Sequence, residues 1–124
     1  MRYAALLLAM LPLFANAAGD DLPYAGSPGA LPVQVVVQFL GKVLGENGQF
    51  DYRTFKILQD SPAPAFDNVG LTVIREGVND PVLRGLRHRF NLTRDGSVWT
   101  IRSMVVDFSC KTRPAWGTQP CVSP

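Results

Sequence analysis

The sequence predicts an α+β domain: one N-terminal amphipathic helix packed on an antiparallel sheet of three or four strands, with one disulfide near the C-terminus. Three observations carry this. Gln34, Gln38 and Lys42 fall four apart within an otherwise apolar stretch, which draws one polar stripe on a helix. Asp95-Gly96, a favoured pair for a two-residue hairpin, separates two runs in which apolar and polar residues alternate. Cys110 and Cys121 are the only cysteines in the chain of 124 residues.

The elements follow in chain order. Residues 1–17 read as a secretory signal peptide: Arg2, then an apolar run from Ala4 to Phe14 broken only by Pro12, then Ala15-Asn16-Ala17 as a small-residue cleavage site. The run is shorter than the roughly 20 apolar residues that span a bilayer. Residues 18–31, rich in Gly, Pro, Asp and Ala, read as a flexible lead-in. Residues 32–124 then form a single α+β domain. Pro32 to Leu44 is the helix, with Pro32 in its first turn, Gly45 as its left-handed stop, and Val33, Val36, Val37, Leu40, Val43 and Leu44 on its apolar face. Its valines favour strand, but the period outweighs that propensity. Gly41 within it is expected to mark a close approach of the sheet.

Glu46 to Gln49 is a turn. Residues 50–59 fit strand and helix equally, because Phe50, Tyr52 and Thr54 alternate while Phe55 and Leu58 recur at a helical turn. Asp60 to Asn68, with Pro62 and Pro64, is a loop. Val69 to Val78, Leu86 to Arg94 and Ser97 to Cys110 are strands, the first two joined by the turn Asn79-Asp80-Pro81. With Asp95-Gly96 as a two-residue loop, Arg94 sits opposite Ser97, Leu92 faces Trp99, Phe90 faces Ile101 and Arg89 faces Arg102. Inward parity then changes from odd at Trp99 and Ile101 to even at Val106, Phe108 and Cys110. Either a β-bulge between Arg102 and Val105 restores the face, or both faces of the strand's far end are buried. Val36, Leu40 and Leu44 are expected to meet Phe90, Leu92, Trp99 and Ile101 in the core.

In an oxidising compartment Cys110 and Cys121 pair. The bond closes a loop of about twelve residues, for which chain entropy gives about 3 kcal/mol. A zinc site is not expected, since His88 alone cannot complete the ligand set. No metal, no cofactor and no catalytic residue is assigned. The one histidine shares the inward parity of Phe90 and Leu92 and reads as a hydrogen-bonded core residue. The chance sequon at Asn91-Leu92-Thr93 sits mid-strand and carries nothing.

Charge is unevenly spread. From Ala18 to Asp80 there are four basic and eight acidic residues; from Pro81 onward there are seven basic and two acidic. Such asymmetry means either an anionic partner or attraction between the two halves. Arg87, Arg89 and Arg102 cluster on one sheet face in the predicted register. Either they attract an acidic partner through forked hydrogen bonds, or acidic residues of the first half neutralise them. The tied loop holds Trp116 among Lys111, Arg113 and Pro114; it is either a recognition tip or a lid folded back on the core.

Trp99-Thr100-Ile101, Phe108-Ser109-Cys110-Lys111 and the closing Cys121 give the stretch from Val73 to Cys121 a likeness. It resembles a group of small exported bacterial proteins of unassigned function, in which one helix is followed by a curved antiparallel sheet of cystatin-like or NTF2-like architecture. Those proteins tend to carry a Gly-Arg-Gly-like turn after the first cysteine, where Lys111-Thr112-Arg113-Pro114 stands here. The resemblance implies a fold and no catalytic residue.

The functional expectation is a periplasmic or secreted binding module, inhibitor-like or immunity-like, that uses Arg87, Arg89, Arg102 and Trp116. Its partner would be an acidic protein or an anionic envelope polymer; neither nucleic acid nor a membrane anchor is expected. Two alternatives stand beside it. One is a small-ligand carrier or enzyme with a pocket between helix and sheet, presenting His88 and Asp107. The other is an assembly factor of an envelope machine, which needs an exposed sheet edge or apolar patch.

Overall fold

A computed structural model describes residues 21–62, 64 and 66–123. The expected signal peptide, residues 1–17, lies outside them. The elements are β1 (Tyr24–Ala25), α1 (Pro32–Leu40) continued by a 3₁₀ turn (Gly41–Val43), β2 (Thr54–Asp60), β3 (Asn68–Glu76), β4 (Leu83–Asp95) and β5 (Val98–Cys110). The five strands form one antiparallel sheet in the order β1-β5-β4-β3-β2. The α+β class and the disulfide, Cys110–Cys121 with Cα atoms 5.6 Å apart, are as expected. The strand count is higher and the helix is shorter. No helix among the described residues is long and apolar enough to cross a membrane.

The two extra strands have separate causes. β1 comes from the Gly- and Pro-rich segment expected to be a flexible lead-in. Tyr24 pairs with Ile101, and the Gly26 and Gly29 amides continue the contact by donating to Trp99 and Ser97 carbonyls at 2.8 Å. Tyr24 packs edge-on against Phe39 (5.3 Å), which packs edge-on against Phe90 (6.0 Å), so burial of one aromatic outweighs a turn-like composition. A Cβ at Gly26 would collide with Val35, so glycine lets this segment pass close under the helix. β2 resolves the ambiguous stretch 50–59 as strand, and it does so at an edge with only Ile57 half-buried.

The helix ends at Leu40 because Gly41 turns to φ +49°, its amide donating to the Val37 carbonyl. The expected roles of two glycines are exchanged. Nothing approaches within 4 Å of where a Gly41 Cβ would stand, whereas one at Gly45 would lie 2.5 Å from the Gln49 carbonyl oxygen. The polar stripe holds, with Gln34, Gln38 and Lys42 away from the core. The Gln34 amide oxygen accepts the Leu31 N–H at 2.7 Å, which satisfies one of the free donors at the helix start. Val35, Val36 and Leu40 face the core, with Val69, Leu71 and Val73 of β3, Phe90 and Leu92 of β4, and Ile101 of β5; Leu44 and Trp99 pack at its rim. Val37 and Val43, expected inside, are 40% and 54% exposed. The early stop at Gly41 takes Val43 off the helical face.

The β4–β5 hairpin is offset from the predicted register by two residues. Gly96-Ser97 forms the loop, Asp95 pairs with Val98, and Leu92 pairs with Ile101. An even offset keeps every side chain on its face, so the inward set is unchanged. The register then shifts between Asn91 and Leu92, leaving Arg102 as the additional residue on β5. This is the expected bulge, and it returns Met104, Val106 and Phe108 to the side of Phe90 and His88.

Candidate functional site

The helix covers one face of the sheet; Arg87 and Arg89 stand on the other. Alternation along β4 sends Leu86, His88, Phe90 and Leu92 to the helix side and the odd-numbered residues away from it. Beyond the bulge, Arg87 pairs with Asp107 and Arg89 with Val105. The predicted Arg89–Arg102 opposition is therefore absent. Arg102, set apart by the bulge, donates from Nε to the Thr93 hydroxyl at 2.9 Å. Thr93 is about 13 Å along β4 from Arg89 at the usual strand rise. The structure brings Arg87, Arg89 and Trp116 together and leaves Arg102 toward the hairpin.

Asp107 organises the pair. Its Oδ2 accepts from Arg87 Nε at 2.8 Å and from Arg89 Nε at 2.7 Å, and its Oδ1 accepts from Arg89 Nη2 at 3.2 Å. Its side chain is 2% exposed, against 27% for Arg87 and 48% for Arg89. The carboxyl is held below the ordinary carboxylate range, chiefly by the Arg89 hydrogen bond and further by Arg87, while Asp107 raises Arg89. One of the two alternatives left open by the sequence places a neutralising acid in the first half of the chain; the acid that pairs with Arg87 and Arg89 comes from the neighbouring strand β5. One carboxylate answers two guanidinium groups, so a positive charge remains, and the Nη groups of Arg87 carry no hydrogen bond to the described residues.

Trp116 completes the site. The Arg87 guanidinium lies 5.0 Å from the indole centroid, a stacking distance. The indole reaches Gly85, where a Cβ would come within 3.0 Å of Trp116 Cη2 and of the Arg75 carbonyl oxygen. Glycine at 85 is what lets the ring approach the sheet this closely. Trp116 is thus neither a free tip nor a lid on the core: it folds back half-buried onto the opposite face and walls the arginine pair. Its loop is held at several points. Phe108 and Gly117 exchange two backbone hydrogen bonds (2.7 and 3.1 Å), the Ser109 hydroxyl donates to the Pro114 carbonyl (2.6 Å), and the disulfide closes the base.

His88 and Asp107 lie on opposite faces, so the pocket anticipated around both does not form. His88 is 7% exposed, and its Nδ1 has no partner among the described residues, contrary to the expected hydrogen-bonded core histidine. Burial first, and Arg75 second, push its pKa down to about 4. Arg75 is itself buried. It donates from Nη1 to the Val43 carbonyl at 2.8 Å and sits 6.0 Å from the Tyr52 ring, while its Nε is unpartnered among the described residues; burial lowers its pKa, with Asp51 and Tyr52 opposing. A depression of about 320 Å³ lies beyond the helix end, lined by Lys42, Val43, Gly45, Glu46, Gln49, Phe50 and Asp51. Among the described residues no three His, Cys, Asp or Glu side chains gather as a metal site.

Comparison with protein families, with curated proteins and with solved structures finds no match to this chain.

Arg87, Arg89 and Trp116, expected from the sequence as binding residues, are brought together by the structure, whereas Asp107 is not expected as their partner. The bulge and the two-residue offset of the hairpin together place Asp107 opposite Arg87, and the Asp95-Gly96 pair points to a different loop.

Proposed function

We propose that this protein is an exported binding module whose open sheet face recognises a carboxylate-rich segment of an acidic protein. The observation that carries the reading is the shared clamp: one buried carboxylate aligns two guanidinium groups and leaves outer N–H donors for a partner. Forked arginine donors match carboxylates in geometry as well as charge. Alignment by Asp107 and stacking on Trp116 supports the reading in a second way, because side chains already ordered lose less freedom on binding. Arg102, on the same face at Thr93, extends the positive row along β4. The disulfide supports an oxidising location, periplasmic or secreted.

The test is pull-down from envelope extract with the oxidised protein and with Arg87→Gln/Arg89→Gln. Capture of acidic proteins should be lost in the variant and should weaken with added salt, since rim and partly exposed charges are screened. Arg102→Gln alone should weaken capture by less than the pair. Undiminished capture by the double variant refutes the reading. Capture of an anionic polymer in place of protein would reassign the partner class.

A further inference from the structure

We propose that β2 is the dimerisation edge of this protein, and that its partner is β2 of a second copy. β2 ends the sheet order, so one side of its backbone has no strand neighbour among the described residues. It runs seven residues in unbroken register with β3, from Thr54 opposite Glu76 to Asp60 opposite Gly70. It has no proline and no bulge, two of the devices that keep an edge from pairing, and its one lysine, Lys56, has an anion two residues beyond Leu58 to pair with in a reversed copy. The other end of the sheet is managed differently. β1 is two residues long, and Gly117 of the tied loop occupies the β5 edge at Phe108.

The side chains of β2 specify the partner. Ile57 pairs with Val73 and turns to the helix side, so Lys56, Leu58 and Asp60 lie on the open face. Leu58 is 57% exposed there. Lys56 and Asp60 are exposed too, and neither forms an ion pair with the described residues. The row reads cation, leucine, anion, and it is complementary to itself when reversed. In an antiparallel alignment centred on Leu58, the two leucines meet, Lys56 faces Asp60 of the second copy, and Asp60 faces Lys56 of the second copy. On the helix side the same alignment sets Ile57 against Gln59 of the second copy. Centring on Ile57 instead would set Lys56 against Leu58 and Asp60 against Thr54, with no ion pair. Charge therefore selects one register, and directly opposed residues are the pairs that stabilise a sheet.

The contact is isologous: the same patch serves both copies about a two-fold axis, and the assembly closes at two. The product is one continuous ten-stranded sheet, twice the five strands of one copy, its two helices on one side and its two Arg87–Arg89 clamps on the other. The dimer depends on β2 alone and stands or falls independently of what those clamps bind.

Sedimentation of the purified, disulfide-bonded protein tests this. The wild type should sediment as a dimer. Lys56→Asp and Asp60→Lys, each at an exposed position, should each raise the dissociation constant at least about tenfold by opposing like charges twice. Mixing the two single variants should restore dimers. In that heterodimer the aspartate introduced at position 56 meets the lysine introduced at position 60, and the native Lys56 of one copy meets the native Asp60 of the other. The double swap Lys56→Asp/Asp60→Lys should dimerise as the wild type does. Amide exchange supplies a second measurement: protection of β2 should rise with concentration in the wild type and not in the single variants. A wild type that stays monomeric at about 1 mM, single variants that dimerise as tightly as the wild type, or a mixture that fails to assemble would overturn the proposal.

Discussion

Acid should weaken this fold through His88. The side chain is 7% exposed between β3 and β5, its Nδ1 is unpartnered among the described residues, and its pKa is pushed from 6.5 down to about 4, by burial first and Arg75 second. The unfolded chain takes up a proton at this residue near pH 6.5, the folded chain only near 4. Between those values the unfolded state binds more protons, so stability rises with pH across the window. The contribution is fully present above about pH 6.5 and is lost as pH falls toward 4. At 1.36 kcal/mol per pKa unit the loss is about 3 kcal/mol, a large part of the 5–15 kcal/mol typical of a small domain. Urea unfolding at pH 7 and at pH 4 measures it, in the wild type and in His88→Leu. The variant removes the titrating group and keeps an apolar side chain beside Phe90. It should lose little stability between the two pH values. An equal loss in both proteins would refute the assignment. The carboxyls of Asp107 and Asp80 are held below the ordinary range, Asp80 by the Val82 and Leu83 amides, so their contributions fade only below that window.

Three further outcomes follow from the packing. Asp107→Asn leaves Arg87 and Arg89 side by side with no anion between them; chemical denaturation should show a loss of about 2 kcal/mol, below the range for fully buried pairs because both arginines are partly exposed. Gly41→Ala should cost about 1–3 kcal/mol in thermal unfolding, from its backbone conformation of φ +49° and ψ −123° alone, since its Cβ would meet nothing within 4 Å; Gly26→Ala should also destabilise, because its Cβ collides with Val35. Reduction of Cys110–Cys121 should lower stability by about 3 kcal/mol and release the Trp116 loop, read as a change in tryptophan fluorescence that Trp116→Phe removes.

Face membership was legible in the sequence; partners across the strands were not, and the reason is geometric. A strand's side chains alternate with period two, so any even error in register preserves which residues point inward. The hairpin shows this: an offset of two left Leu92, Phe90 and Ile101 in the core, yet it changed every opposite residue. The expected arginine cluster rests on one of those opposite residues, Arg89 against Arg102, and the offset together with the bulge replaces it with Arg87 against Asp107. β1 and β2 are hard to read for another reason. Each lies at a sheet edge, where burial leaves a weak imprint: one aromatic, Tyr24, among glycines and prolines, and in β2 an open row in which Leu58 stands exposed between Lys56 and Asp60. What marks β2 is its charge pattern, and that pattern has meaning only once the strand is known to end the sheet. The two rows proposed to meet partners therefore have plain compositions, and what each presents depends on register. Asp107 turns one row from a repulsive cluster into an aligned pair, and in the proposed dimer a second copy turns the other from an exposed edge into an interface.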